Sequence, residues 1–345
     1  MALSPLLPER HPQKDFFIAD IFDSLPFKDD MASMEHPLFT LSTKPDRREL
    51  NYANKGVSIQ IQPSYHGLPT IFDKDVLLYC GSQLMERINL GDKLPPRTMR
   101  ISLHDLLMVT NRKTNGEGYR LIKKSINRLT GSLIKTNIKT GDLKQESMFH
   151  ILESAEFVES KRIEGRLVAM EITLSDWFYN SLIAKQVLTI DREYFRLRKS
   201  IDRRLYEIAR KHCGNQYQWS ANLNTLHSKT GSRDVLAKFR AAVKLLEKED
   251  HLPEYKVTYN RDLDNVTFTN RSLEDNKIKQ ESFDLPPGEV PPSLVEEVRA
   301  INAKLDVYSL WAEWHEWNQG NSNQLKDWRL AFLGFCRKRS SVASA

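Results

Sequence analysis

The sequence contains few cysteines and no arrangement of residues typical of a metal site. Cys80, Cys213 and Cys336 are far apart, and no CxxC pair occurs. An odd, sparse set of cysteines is typical of a reducing cytoplasm and argues against a disulfide scaffold. His212 and Cys213 are adjacent, but no second pair completes a zinc site. We therefore expect neither a metal nor a cofactor.

Long apolar runs and the motifs of common enzymes are also missing. No stretch approaches the ~18 apolar residues of a membrane span, and Pro5 and Pro8 interrupt the N-terminal residues where a signal peptide would lie. GxxxxGK[ST], GxSxG and HExxH do not occur, which argues against a P-loop ATPase, a serine hydrolase and a zinc protease. We expect a cytoplasmic protein that has no membrane partner and is not an enzyme.

Positive charge is concentrated in two windows. Residues 97–139 contain ten Lys or Arg against two Asp or Glu, and residues 185–244 contain fourteen against five. The whole chain carries only +6, so the remaining residues are acidic on balance. Two strongly basic windows indicate a polyanionic partner, and nucleic acid fits best. The alternative is two solvated helical faces.

The apolar pattern predicts the same order of elements twice. In the first half, a helix at 103–110 precedes a helix whose apolar residues are spaced three and four apart from Tyr119 to Leu133. In the second half, a short helix carries Leu223 and Leu226, and a helix capped by Ser232 buries residues from Val235 to Leu246. Apolar positions of the two halves match at an offset of 120 residues. Strands are predicted to follow each helical pair, at 133–139, 147–152 and 166–173, and at 257–259 and 266–269.

A helix, a turn, a second helix and a β-hairpin in this order form the winged-helix pattern, whose second helix enters the DNA major groove. The predicted fold is α+β, with two tandem winged-helix domains (helix-turn-helix plus β-hairpin wing) and a C-terminal helical tail. The predicted divisions are an N-terminal segment packing on the first domain at 1–70, winged-helix domains at 71–174 and 175–270, a flexible linker at 271–295 and a Trp-rich helical element at 296–345.

The predicted DNA-binding residues are cations and one Asn on outward helical faces. The guanidinium group of Arg240 can donate two hydrogen bonds to a guanine, and the side-chain amide of Asn127 can pair with an adenine. The small residues Ala237 and Ala241 would let their helix approach the bases closely. A cluster at a helix start is predicted to hold phosphates, although nearby Asp and Glu residues offer it surface pairs. The residues are Arg112, Lys113, Arg120, Lys124, Asn127 and Arg128 in the first domain, Arg196, Arg198, Lys199, Arg203 and Arg204 in the cluster, and Lys229, Arg233, Lys238, Arg240 and Lys244 in the second domain.

Two further readings stay open. Tyr194 and Tyr206 lie among arginines, as the nucleophile of a DNA-nicking or strand-transfer enzyme would. A transcriptional repressor would bind DNA equally well without initiating replication.

Several strings of the chain resemble the replication initiator protein A family of plasmids. They are DMASMEHPLF at 30–39, KPDRR at 44–48, DVLLYC at 75–80, TNR at 110–112, YFRLRK at 194–199 and ARKHCG at 209–214. The resemblance implies binding to repeated sites (iterons) in double-stranded origin DNA and opening of an adjacent A·T-rich segment. It also implies recruitment of the host initiator ATPase and replicative helicase, and repression of the initiator's own promoter. The resemblance further implies that the protein can form a homodimer.

The C-terminal tail lies outside this resemblance and is rich in tryptophan. Trp311, Trp314, Trp328 and Arg337 are candidates for binding a partner or single-stranded DNA, because exposed aromatic residues beside Arg suit base stacking or docking on a helicase. The alternative is a small helical hairpin whose Trp residues pack together.

Overall fold

The computed structural model describes residues 4–11, 26–54, 56–138, 147–159, 167–274, 289–302, 305–320 and 328–342. Helices and strands are mixed throughout. The contacts divide the chain into two compact units, Met1–Asn270 and Arg271–Ala345. Among the helices within the described ranges, none is both long enough and apolar enough to cross a lipid bilayer.

The N-terminal segment provides strands for two different sheets. Its elements are β1 (Phe27–Asp30), α1 (Met31–Glu35), β2 (Leu50–Asn54) and β3 (Val57–Gln62). The alternation of apolar and polar residues in β3 places Ile59 and Ile61 inside, as expected for a half-buried strand. β2 and β3 form an antiparallel hairpin.

The elements that follow form what we call repeat 1. They are α2 (Lys74–Asn89), β4 (Thr98–Ser102), α3 (Leu103–Val109), α4 (Gly116–Gly131), β5 (Leu133–Thr136), β6 (Ser147–His150), β7 (Leu152–Glu159) and β8 (Leu167–Leu174). β4, β8 and β7 form an antiparallel sheet in that order. Gly118 allows the tight approach of α4 to the preceding turn, because an added Cβ would lie 1.8 Å from the Lys113 carbonyl oxygen.

A connector leads into what we call repeat 2. The connector contains α5 (Asp176–Ile183), β9 (Val187–Ile190) and a 3-10 turn at Arg192–Arg196. Repeat 2 contains α6 (Ser200–His212), β10 (Gln218–Asn222), α7 (Leu223–Thr230), α8 (Leu236–Glu249), β11 (Tyr255–Asn260) and β12 (Asn265–Asn270). β10, β12 and β11 form an antiparallel sheet in that order. The offset of 120 residues relates β4 to β10 and the start of α3 to that of α7.

The two repeats therefore share the order helix, strand, helix, helix, hairpin, and their sheets share one strand order. One predicted correspondence is wrong. The hairpin predicted from 133–139 and 147–152 is β5 and β6, which extend the N-terminal hairpin into a sheet of order β2-β3-β5-β6. The counterpart of the repeat 2 hairpin is β7 and β8 instead, because β8 pairs with β4 as β12 pairs with β10.

The start of α8 also differs from the prediction. Val235, not Ser232, is the N-cap residue, and it provides no side-chain hydrogen bond. Its side chain is 72% exposed, whereas the apolar pattern placed it inside. Phe239, Val243 and Leu246 carry the buried stripe of this helix. The last turn of α7 ends at Gly231, whose left-handed backbone (φ 67°) and close contact with Pro37 favour glycine.

The N-terminal segment packs on both repeats rather than on the first alone. β1 pairs with β9, and α1 contacts α6 through the Arg204 guanidinium, which donates to the carbonyl oxygens of Ser33 and Met34. Most buried apolar residues of repeat 1 and repeat 2 lie in two different hydrophobic cores, but Leu78 of α2 belongs to the core of repeat 2.

The second unit is helical and contains α9 (Pro292–Ile301), α10 (Val307–Gly320) and α11 (Trp328–Val342). Val290 and Leu294 are buried in its core, so the unit begins within the range predicted as linker, of which residues 275–288 lie outside the described residues. Trp311 and Trp314 are buried against Phe332. This packing favours the helical alternative for these two residues over an exposed stacking surface.

Candidate nucleic-acid interface

Helix α4 presents a polar face opposite its buried stripe. Ile122, Ile126 and Leu129 are buried, and the side chains of Arg120, Lys124 and Asn127 are exposed on the other side. The side chain of Asn115 caps the helix by accepting a hydrogen bond from the Gly118 amide. Arg120 and Lys124 lie one turn apart, so the face combines positive charge with an amide.

The cations flanking this face have carboxylate partners. Arg128 donates to both oxygens of Asp73 at 2.7 and 2.6 Å, and Arg112 donates to Asp75 at 2.8 Å and to the Phe72 carbonyl oxygen. Both guanidinium groups are mostly buried. Their predicted contact with DNA is therefore incompatible with this conformation, because the forks are occupied. Lys113 pairs with Glu117 at 2.9 Å but stays half exposed.

Helix α8 differs from α4 because its arginine, Arg240, is held near the helix. Arg240 donates to both carboxylate oxygens of Asp264, at 3.3 and 3.1 Å, and to the Tyr259 hydroxyl, which ties the helix to the β11–β12 hairpin. Hydrogen bonding from Arg240 lowers the pKa of Asp264 below its usual range. Asp264 occupies the Arg240 guanidinium in this conformation, so the predicted guanine contact requires this exposed ion pair to break.

The other predicted cations of repeat 2 differ in their exposure and in how firmly other side chains hold them. Lys238 pairs with Asp234 at 2.7 Å and remains mostly exposed, and the Lys244 ammonium lies 5.5 Å from the Tyr259 ring centroid. Lys229 pairs with Glu35 and is largely buried. Lys238 and Lys244 can reach phosphates with small side-chain movements, whereas Lys229 cannot.

The basic cluster at the start of α6 is mainly an internal structure. Arg203 and Arg204 are each 2% exposed. Arg203 pairs with Asp75 at 2.6 Å, and Arg204 pairs with Glu207 at 3.0 Å. The prediction that these two arginines hold phosphates is wrong, because their charges are already matched inside the protein.

Two of the three outer members of the cluster have carboxylate partners. Arg196 pairs with Glu193 at 2.7 Å, Lys199 pairs with Glu249 at 3.1 Å, and Arg198 is half-buried. The alternative of surface pairs with nearby acidic residues therefore accounts for Arg196 through Glu193, whereas the pair of Arg204 with Glu207 is buried.

A second buried group joins α2, β1 and α6. The Lys74 ammonium is fully buried and lies 2.7 Å from Asp29 and 3.1 Å from Glu207. Burial raises the pKa of the Asp29 carboxyl, and Lys74 opposes that rise. Together with the pair between Arg203 and Asp75, this group fixes repeat 2 against repeat 1.

Sequence reasoning missed an exposed patch between the two candidate helices, which we call the linking patch: Arg47, Arg48, Tyr65 and His66. Tyr65 is 81% exposed, and the Arg47 guanidinium lies 5.1 Å from its ring centroid. A hydrogen-bond distance of 3.4 Å connects His66 to Asn127 of α4. The pair Arg47 and Arg48 was visible in the sequence, but nothing marked Tyr65.

The linking patch also reaches repeat 2. Asp46 accepts from Arg48 at 3.0 Å and from Arg233 at 2.6 Å, and Arg233 also donates to the Glu49 carbonyl oxygen. Arg233 lies three residues before Leu236, the first residue of α8. A continuous series of contacts therefore runs from the exposed face of α4 to the start of α8. Arg233 connects the linking patch to α8 and is not a free cation.

The family model described as Replication initiator protein A matches residues 28–257. The chain belongs to the replication initiator protein A family. A "Putative replication protein" of Wigglesworthia glossinidia brevipalpis is 38% identical over 260 residues, which cover 75% of this chain and 94% of that protein. The match with the replication initiator protein A family spans α4, the linking patch and α8.

Two solved structures are similar to this initiator at low identity. Domains 2 and 3 of RctB give a TM-score of 0.49 at 14% identity, covering 67% of this chain and 94% of that one. The Pi initiator protein in complex with iteron DNA gives 0.39 at 17% identity, covering 57% and 92%.

Neither tyrosine of the nicking alternative is accessible in this initiator. Tyr194 and Tyr206 are fully buried. The Tyr194 hydroxyl donates to Glu207 at 2.7 Å, and the Tyr206 hydroxyl donates to Glu254 while accepting from the Asp191 amide. Burial raises the pKa of both phenols. An attack on DNA by either oxygen would require the core of repeat 2 to open.

Proposed function

We propose that this chain is a plasmid replication initiator whose two repeats are winged-helix modules that bind one repeated site in double-stranded origin DNA. The observation that carries the proposal is the polar, exposed face of α4 formed by Arg120, Lys124 and Asn127. Arg and Lys beside an amide suit the phosphates and base edges of a major groove. Membership in the initiator family and the repeated topology support the same conclusion.

The two modules would bind as one body. Ion pairs fix repeat 2 against repeat 1, through Lys74 with Asp29 and Glu207 and through Arg203 with Asp75. A rigid pair of helices would read two segments of one duplex at a fixed spacing, as the two recognition helices of a helix-turn-helix dimer do about one helical turn (10–10.5 base pairs) apart. Lys113, Lys238 and Lys244, together with Arg47 and Arg48 of the linking patch, would add phosphate contacts.

The later steps of initiation belong to the same proposal. Binding would open an adjacent A·T-rich segment and bring in the host initiator ATPase and replicative helicase, and occupation of the promoter would repress the initiator's own synthesis. A homodimer would form part of the repressing state. Permanganate footprinting on supercoiled origin DNA separates this function from that of a repressor alone, because only an initiator makes thymines in a melted segment reactive.

DNase I footprinting on the DNA next to the gene tests the proposed binding directly. We expect a series of protected repeats, and we expect affinity to fall with salt at a log–log slope of about −0.9 per neutralised phosphate. The double variant R120A/K124A should weaken binding and make the slope less negative by up to about 1.8. The matched control is K93A, which removes an exposed lysine after α2. A wild-type slope near zero would contradict the proposal.

A further inference from the structure

Tyr65 lies at the tip of a tight turn that the rest of the fold holds in place. It is 81% exposed. The Gly67 amide donates to the Ser64 carbonyl oxygen at 2.9 Å, and the Ser64 hydroxyl donates to the Gly67 carbonyl oxygen at 2.9 Å. The turn packs closely on the end of α4, because a Cβ added to Gly131 would lie 2.9 Å from the Ser64 Cβ. The backbone therefore fixes where this exposed ring stands.

The guanidinium group of Arg47 lies against the same ring, and we call these two residues the Arg–Tyr pair. The Arg47 guanidinium carbon is 5.1 Å from the Tyr65 ring centroid, within the range of cation–π attraction. The Leu68 amide donates to the Asp46 carbonyl oxygen at 2.8 Å, which ties the backbone beside Arg47 to the turn. Within the described ranges no carboxylate pairs with Arg47, whereas Arg48 donates to Asp46. Arg47 therefore presents an uncompensated positive charge whose position an aromatic ring supports.

The place of the Arg–Tyr pair relative to the two candidate helices indicates what it faces. On one side, His66 lies 3.4 Å from Asn127 on the exposed face of α4. On the other side, Asp46 accepts from Arg233, near the start of α8, at 2.6 Å. Two major-groove segments one helical turn apart on the same face of a duplex are separated by a minor groove. A protein that places α4 and α8 in those segments therefore turns the Arg–Tyr pair toward the minor groove between them.

The chemistry of a minor groove matches that of the Arg–Tyr pair. The groove is ~6 Å wide, which is too narrow for a helix but admits a flat guanidinium group. Narrow minor grooves of A·T-rich DNA attract arginine, because the negative potential is enhanced there. A G·C pair instead places an amino group on the floor of the groove, where it would obstruct and repel a guanidinium donor. A ring that holds the guanidinium group in advance lowers the entropic cost of binding.

We propose that Arg47, supported by Tyr65, enters the minor groove between the two major-groove segments and selects base pairs that lack a minor-groove amino group. This inference rests on the proposed function, because it assumes that α4 and α8 contact the same duplex. It gives the N-terminal segment a role in reading bases, in addition to the phosphate contacts proposed above. Tyr65 acts as a positioning residue, because it holds the group that touches the DNA.

Base analogues test the proposal, because they change one groove and leave the other as it was. Diaminopurine paired with thymine adds the minor-groove amino group to an A·T pair, and inosine paired with cytosine removes it from a G·C pair. Two duplexes of one origin repeat would differ only between the two protected segments, where one carries the amino group at every base pair and the other at none. The readout is the Kd of the full chain by fluorescence anisotropy. Wild-type protein should bind the amino-free duplex at least about fivefold more tightly.

The variants R47A and Y65A should both lower this ratio toward one, since the first removes the guanidinium group and the second its support. The matched control is K44A, which removes an exposed lysine of the same segment and should leave the ratio unchanged. Equal binding of both duplexes by wild-type protein would overturn the inference and leave the proposed function standing, because the pair would then contact phosphates only. A preference that survives in R47A would also overturn it, because DNA stiffness or another residue would then be its source. Failure to bind either duplex above a scrambled one would refute the proposed function and this inference with it.

Discussion

Replacing Lys74 by Met should test how the two repeats are held together. The Lys74 ammonium is fully buried between Asp29 at 2.7 Å and Glu207 at 3.1 Å. Met has a similar length and no charge, so the substitution removes the cation with little change in packing. Glu207 keeps Arg204 as a partner at 3.0 Å. Removal of the Lys74 ammonium therefore affects mainly Asp29, which becomes a buried carboxylate without a cation.

Removing one partner of a buried ion pair costs about 3–5 kcal/mol, because the remaining charge is left uncompensated. At ~2–4 °C per kcal/mol for a unit of this size, the melting temperature should fall by roughly 6–20 °C. The double variant K74M/D29N leaves only a neutral amide, for which an unsatisfied buried group costs about 1–3 kcal/mol. The second substitution should therefore recover part of the loss.

The pH dependence of this cost has a definite sign. Burial already raises the pKa of Asp29, and loss of Lys74 removes a group that lowers it. A carboxyl whose pKa is raised in the folded state binds its proton more tightly there, so the wild type itself loses stability as the pH rises above the ordinary carboxyl range. The extra cost of K74M therefore grows only as the pH rises through the wild-type pKa of Asp29, which is about 8. Urea unfolding followed by circular dichroism should show a smaller cost at pH 6 than at pH 9. A cost below about 1 kcal/mol at pH 9, or no recovery in K74M/D29N, would refute this reasoning.

Three other predictions concern the turn before α4, a thiol and an acidic pair. Gly118→Ala should lower the free energy of unfolding by about 3 kcal/mol in urea titrations, because its Cβ would collide with the Lys113 carbonyl oxygen. Cys80, whose pKa burial raises to about 12, should react with a thiol reagent at pH 8 only after unfolding. Hydrogen bonds from His212 and Lys229 hold the pKa of the Glu35 carboxyl below its usual range. The stabilisation that Glu35 contributes to the fold is therefore present above pH 4.5 and is lost as the pH falls. The stability difference between wild type and Glu35→Gln should accordingly narrow from pH 7 to pH 3.

Local patterns predicted the parts of the fold that depend on neighbouring residues. The stripe at Ile122, Ile126 and Leu129 faces inward, as its spacing predicted. This feature follows from helical periodicity within one segment. The exposed face of α4 was predictable for the same reason, because it consists of the helix positions opposite the buried stripe.

The errors arose where distant residues decide the outcome. Arg203 appeared to be a surface cation because its partner, Asp75, lies 128 residues earlier in the chain. The Arg240 fork is occupied by Asp264, a residue beyond the next strand. Strand β5 pairs with β3 of the N-terminal segment in addition to β6, which no local pattern shows. The linking patch likewise exists only because the fold brings residues 47 and 65 together.

Hydroxyl-radical footprinting of one origin repeat tests most directly whether the outward faces of α4 and α8 contact the same duplex. Wild-type protein should protect two segments on one face of the DNA, about one helical turn apart. R120A/K124A should lose protection of one segment, and Ala241→Glu, which places a carboxylate on the outward side of α8, should lose the other. A single protected segment, or loss of the same segment in both variants, would contradict the account.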